Sequence, residues 1–335
     1  MKKTNYILHY FVTIFIFCLL ISISCAPEKK LEVVKSLLEN KNIKKNKSKV
    51  SIIVLGNVQD AGSPQIACKK ECCVHLFEKP DTNRKVVSLG VVDRENHKKY
   101  LFDATPDIIS QIKELKNCLD KNSTEIPDAI FLTHAHIGHY TGLMYLGKEA
   151  MNASNIPVYT LPKMKKFLVE NAPWSQLVSK NNILLKEVKN EEKIHLSSTL
   201  QVVPLKVPHR DEFSETVGYK ISGPSKKALF IPDIDKWNKW SKNIISEIKK
   251  ADYAFIDATF FSGKEINNRD ISQIPHPFII ESMELFKDLS SKEKRKIIFI
   301  HFNHTNPVLN SNSKESKLIV KKGFRIARIH DVFDL

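Results

Sequence analysis

Short apolar runs rich in Val, Ile and Phe recur from residue 50 to the end of the chain, broken by Gly, Pro and Asn. Runs of this length and β-branched content read as strands rather than helices. They fall at residues 50–55, 86–92, 99–103, 129–132, 157–160, 200–207, 216–221, 228–231, 253–257 and 296–300. Residues 86–92 and 99–103 are spaced as a hairpin pair. Helices are expected at about 106–119, 140–151 and 162–171, with a short helix and a strand closing the domain over 317–329. Strands alternating with helices predict an α/β (α+β) domain.

The first 49 residues follow a different pattern. Residues 1–25 begin with Lys2 and Lys3, continue through an apolar stretch at 11–23 and end at Cys25, which reads as a targeting segment. Small residues leading into Cys25 resemble a bacterial lipoprotein signal, which implies acylation of Cys25 after cleavage. An uncleaved anchor would need about 18–20 apolar residues, and this run is shorter. On either reading the domain lies outside the cytoplasm beside a cell membrane, lipid-anchored on the periplasmic or surface side if Cys25 is acylated. Residues 26–49 are polar and rich in Lys and Asn apart from a short helical stretch near 31–38, and read as a flexible tether. One domain, 50–335, remains, and a hydrophobic content of 42% is enough to bury its core.

The net charge of +15 and pI near 9.4 would suit an anionic partner. The lysines are spread widely, however, and no aromatic-basic stripe accompanies them, so nucleic acid is not the expected partner. A small-molecule substrate and a membrane contact through the N-terminal lipid are expected instead. No feature of the sequence sets the oligomeric state.

The chemistry concentrates after the run at 129–132, where His134, His136 and His139 fall within six residues beside Gly138 and Gly142. Alternating side chains in extended backbone put His134 and His136 on one side, and a helix start near His139 brings a third imidazole from another direction. Converging neutral imidazoles suit zinc, with Mn2+ or Fe2+ also compatible.

These residues carry a resemblance. The run from His134 to His139 resembles the His-x-His-x-Asp-His signature of metallo-β-lactamase-fold hydrolases, except that Gly138 stands where the family has Asp. The resemblance covers about residues 50–335 and implies a four-layer αβ/βα sandwich with metal ligands at strand ends. It assigns His134, His136 and His209 to a first ion and His139, Asp233 and His301 to a second. Asp233 would bridge the two, with Asp235 as the alternative. Glycine cannot ligate, so one tight ion and a weaker second are expected. His276, between Pro275 and Pro277, resembles the loop histidine of tRNA 3′-processing endonucleases, which helps protonate a leaving group. His304, one turn beyond His301, is a further ligand or proton carrier. A carboxylate near the strand end at 103–107 can orient a ligating imidazole, although Asp107 has a simpler place at a helix N-terminus.

Cys68, Cys72, Cys73 and His75 lie within eight residues. They form a small zinc knuckle, a disulfide or reduced thiols; spacing leaves the three open. With the Gln59-Asp60-Ala-Gly62 stretch before them, they resemble pyrroloquinoline-quinone biosynthesis protein B and its relatives. The resemblance therefore implies a metal-dependent hydrolase, with zinc lowering the pKa of bound water to about 7 and giving hydroxide for attack on an ester, lactone or phosphodiester. The alternatives are metal-assisted oxidation or hydroxylation, as in cofactor biosynthesis, and a non-catalytic metal-binding surface lipoprotein.

Overall fold

The apolar runs become the strands of two seven-stranded sheets. The computed structural model describes residues 48–119, 123–265 and 274–335. The expected signal segment, Cys25 and all of the tether before residue 48 lie outside the described residues, as do residues 266–273. In the first sheet the strands are β1 (Val50–Gly56), β2 (Ser88–Asp93), β3 (Lys98–Phe102), β4 (Ala129–Phe131), β5 (Ile156–Thr160) and β6 (Ile183–Glu187), with β14 (Val332–Asp334) beside β1. The second sheet contains β7 (Ile194–His195), β8 (Gln201–Val207), β9 (Thr216–Ser222), β10 (Lys227–Ile231), β11 (Tyr253–Asp257), β12 (Ile297–Ile300) and β13 (Arg325–Ile326) in sequence order. Antiparallel pairing of β2 with β3 gives the expected hairpin, while β3 through β6 and β10 through β13 pair in parallel.

Three apolar clusters fill three interfaces, which makes four layers. Phe102, Phe131, Tyr219 and Phe230 sit between the sheets, where Phe102 stacks on Phe131 at 4.9 Å and meets Tyr219 edge-on at 5.3 Å. Such pairs add about 0.5–1.5 kcal/mol beyond area burial, so Phe131→Ala would remove several kcal/mol. The outer face of the first sheet packs on Ile108, Ile112 and Leu115, and that of the second on Ile244, Phe286 and Ile319. Every residue of β1, β2 and β12 is buried, which explains why these runs show no polar alternation.

The helices are α1 (Glu71–Glu78), α2 (Ile108–Asn117), α3 (Ile137–Tyr140), α4 (Pro162–Glu170), α5 (Trp174–Ser179), α6 (Ile244–Lys249), α7 (Ile279–Leu285), α8 (Ser291–Lys294) and α9 (Lys314–Lys321). Over 140–151 the expected single helix is instead one α-turn in α3 and a 3-10 segment, Thr141–Leu146. The cause is a close approach: a Cβ on Gly142 would lie 2.1 Å from the Thr105 carbonyl, so the chain hugs 104–105 and leaves the α-helical path. β14 returns the end of the chain to the first sheet, a pairing the local pattern does not announce.

Candidate metal centre

The chemistry-bearing side chains stand where strands of both sheets end, the usual ligand edge of αβ proteins. His134 and His136 follow β4, His209 follows β8, Asp233 follows β10, Asp257 ends β11 and His301 follows β12. His139 enters from α3. Donor atoms of His134, His136, His209 and Asp233 lie within 4.8 Å of one another, and so do those of Asp60, His139, Asp233 and His301. Asp233 belongs to both groups, and to a third with Asp257, His276 and His301.

The spacings suit a metal ion. His134 Nε2 lies 2.8 Å from His136 Nδ1 and 3.3 Å from Asp233 Oδ2, while His209 Nε2 lies 3.2 Å from Asp233 Oδ1. Around zinc with bonds of about 2.0 Å, tetrahedral donors stand about 3.3 Å apart. Neither ring nitrogen of His209 makes a hydrogen bond, nor does Asp233 Oδ1, although all three atoms are buried. Buried polar atoms are seldom left so, and a cation at the centre would satisfy His209 Nε2 and Asp233 Oδ1, while His209 Nδ1 faces Asp235.

A second ring of side chains sets the ligand nitrogens. Thr133 gives its hydroxyl hydrogen to Asp103 Oδ2 at 3.0 Å, so its oxygen accepts from His134 Nδ1 at 2.9 Å. His139 Nδ1 donates to Asp103 Oδ2 at 2.7 Å. Across the centre, Thr259 donates to Asp257 Oδ1 at 2.7 Å and accepts from His301 Nδ1 at 2.9 Å. Each contact occupies Nδ1, so that Nε2 is the nitrogen left to bind a metal. Asp103 and His301 both adopt left-handed backbone, φ 67° and 70°, a strain that clusters at functional sites. Asp235 stands behind His209, its Oδ1 3.4 Å from Nδ1, rather than between the two donor groups.

Electrostatics follow from that packing. Burial and the neighbouring His139 hold His134 well below the usual histidine range. Burial opposes charge on His139 too, but Asp103 and Asp60 outweigh it and hold it well above that range. For Asp233, burial favours protonation, yet His209, His276 and His301 keep it well below the usual carboxylate range. His209 is opposed by burial and raised by Asp233 to about 9. His276 is buried beside the centre, with Nδ1 2.9 Å from Asp257 Oδ2 and 3.1 Å from Asp233 Oδ1.

Two expected placements differ. His304 stands with the cysteines rather than with Asp233: its Nδ1 lies 3.2 Å from Cys73 Sγ and 3.6 Å from Cys72 Sγ. Cys68, Cys72, Cys73 and His304 form one donor group, and the cysteines are free thiols. His75 is outside it, exposed on α1 with Nδ1 3.0 Å from the Glu71 carbonyl. At 100° per residue a helix turns His75 to the far side from Cys73, and the 301–306 turn fills the gap. Asp107 accepts from Val86 N at 2.7 Å and faces neither histidine group. Asp60 was not expected in the centre, although it lies in the Gln59-Asp60-Ala-Gly62 stretch that carries the family resemblance.

The Beta-lactamase superfamily domain matches residues 98–302 of the chain. Coenzyme PQQ synthesis protein B of Methylorubrum extorquens is 24% identical over 306 residues, covering 84% of this chain and 97% of that protein. Among solved structures, Zn(2+)-bound PqqB from Methylobacterium extorquens superposes with a TM-score of 0.71 at 20% identity, over 85% of this chain and all of that one. A diphosphatase of the PhnP family superposes at 0.58 with 21% identity, over 85% and 96% of the two chains. With its two layered sheets and its histidines gathered at the strand ends, the chain belongs to the β-lactamase superfamily and is a PqqB-like member of the metallo-β-lactamase fold.

Proposed function

We propose that the protein is a zinc-dependent hydrolase acting on an ester, lactone or phosphodiester. The observation that supports this is the set of His134, His136, His209 and Asp233, with donors at metal spacing and two buried polar atoms, His209 Nε2 and Asp233 Oδ1, otherwise unsatisfied. When bound, a zinc ion lowers the pKa of a coordinated water from 15.7 to about 7. The chain's own residues supply the rest. Thr133, Thr259 and Asp103 fix the imidazole tautomers, and Asp233 presents one carboxylate to both donor groups. His276 is a charged imidazole braced by Asp257, placed to hold a proton for a leaving group. The diphosphatase neighbour, which acts at phosphorus, favours the phosphodiester among the three substrate classes.

The test is metal content measured together with turnover of bis(p-nitrophenyl) phosphate. Metal-loaded protein should hydrolyse it, chelated protein should not, and His276→Ala should keep the metal while losing most of the rate. Full metal occupancy without turnover of phosphodiester, ester or lactone would favour a binding role. A second reading, metal-assisted oxidation or hydroxylation, is favoured by the relatives named for coenzyme PQQ synthesis. Oxygen consumption by the metal-loaded protein distinguishes it from hydrolysis.

The four-residue group of Cys68, Cys72, Cys73 and His304 is proposed as a structural zinc site, with thiolate and imidazole donors in a Cys3His set. Membrane attachment through Cys25 completes the proposal. Among the described residues no helix is long and apolar enough to cross a membrane. Cys25→Ser should move the protein from the detergent phase to the aqueous phase; unchanged partition would point to an anchor helix.

A further inference from the structure

Gly138 and Asp60 are matched to each other. A Cβ built on Gly138 would lie 2.4 Å from Asp60 Cα, 2.9 Å from its Cβ and 2.8 Å from Oδ1. Position 138 therefore has no room for any side chain while Asp60 stands where it does. The glycine is not there for backbone freedom, because its φ is not positive.

Asp60 is held in place from two directions. Gln59 N donates to the Phe302 carbonyl at 2.8 Å, and Phe302 N donates to the Asn57 carbonyl at 2.8 Å. The strand end that carries His301 is thereby zipped to the turn that carries Asp60. A tight turn, with Gly62 N on the Gln59 carbonyl and Gly62 at φ 75°, then aims the carboxylate inward. Its Oδ1 reaches 2.8 Å from His139 Nε2 and 3.4 Å from His301 Nε2. Asp233 Oδ2 completes the group at 3.9 Å and 3.8 Å from the same two nitrogens.

We infer that Asp60 is the ligand that completes a second metal site with His139, His301 and Asp233, the carboxylate missing at position 138 having moved to the turn after β1. This rests on the metal reading of the histidine groups proposed above. Two imidazoles, one whole carboxylate and a share of Asp233 give the second site a charge at least equal to that of the first. The second ion is then held about as firmly as the first instead of weakly. Restoring the motif through Gly138→Asp should empty the second site, because the new side chain drives Asp60 out.

The test is metal titration of the full chain, stripped by chelation and reloaded with Zn2+, read by calorimetry and by metal counting. The wild-type chain should take up two ions at the histidine groups, with the cysteine group counted separately after thiol alkylation. Asp60→Asn keeps the shape and should weaken one of the two at least about a hundredfold, since even outer partners of ligands are worth 10–100-fold. Gly138→Ala, which alters no donor, should weaken the same ion and leave the other unchanged. If Asp60→Asn keeps both ions at wild-type affinity, Asp60 is an ion-pair partner and the inference fails while the hydrolase proposal stands. If the wild-type chain holds no ion at His134, His136 and His209, both fail together.

Discussion

Thr133 and Thr259 occupy equivalent positions in the two sheets. Each gives its hydroxyl hydrogen to a buried aspartate at a strand end and accepts from the Nδ1 of a histidine that faces the centre. Thr133→Val should therefore weaken the ion held by His134, and Thr259→Val the ion held by His301, each by about 10–100-fold. Calorimetric titration of the two variants should show opposite sites affected. Equal loss at both sites would mean that the hydroxyls support packing rather than tautomer choice.

Asp103 carries more of the burden on its side, since it meets Thr133 N, Thr133 Oγ1 and His139 Nδ1 at once. Asp103→Asn can keep the left-handed backbone, which Asn tolerates well. It should nevertheless lower second-site affinity, because an amide can donate to His139 Nδ1 and release the wrong tautomer. Metal counting after dialysis would show one ion lost from the histidine groups, with the fold retained by circular dichroism.

His136→Ala should remove the ion of the first group. His136 is the ligand whose side chain still reaches solvent, at 15%, so its loss leaves the surrounding packing in place. Metal counting should show that ion gone and thermal melting of the metal-free form nearly unchanged. Retention of the ion would move Asp235, or another donor, into the ligand set.

The cysteine group has a reactivity order that chemical labelling can read. Burial, then the neighbouring Cys73 and Cys68, push Cys72 up to about 12, and burial also raises Cys73. Cys68 loses less to burial, and hydrogen bonds led by the Lys70 backbone hold it below the ordinary thiol value. In metal-free protein iodoacetamide should alkylate Cys68 first, because the thiolate is the reactive form. Added Zn2+ should protect all three cysteines but not Cys118. Equal labelling with and without zinc would remove the Cys3His proposal.

Alkaline stability provides an independent check on Cys118. Burial pushes this thiol from 9.0 to about 11. The unfolded chain would lose that proton near pH 9 while the folded chain keeps it. The stabilisation is thus fully present below pH 9 and is lost as pH rises through 11. Cys118→Ala should flatten that part of the melting profile by on the order of 1 kcal/mol.

His134, His136 and His139 were legible in the sequence because their signal is local: three imidazoles and a glycine pair directly after an apolar run. His209 and His301 were legible because each directly follows a buried strand or its terminal proline. Asp60 was not, because its partner Gly138 comes 78 positions later and only the zipper to Phe302 brings them together. His75 and His304 were exchanged for the same reason. Nearness in sequence favoured His75, while helix geometry turns it outward and a distant turn supplies the donor. The 3-10 segment after α3 depended on a backbone contact to Thr105 that no periodicity reports.

The contact between Cys73 and His304 joins residues 231 positions apart. A ribosome must complete almost the whole domain before that pair can close, so an ion cannot be enclosed there by a partly made chain. The same two segments meet again where Gln59 pairs with Phe302 and Asp60 nears His301. An ion in the proposed Cys3His site would therefore enter late in maturation, after both segments are in place. Held there, it would fasten the opening and closing parts of the domain together beside the turn that brings Asp60 to His301.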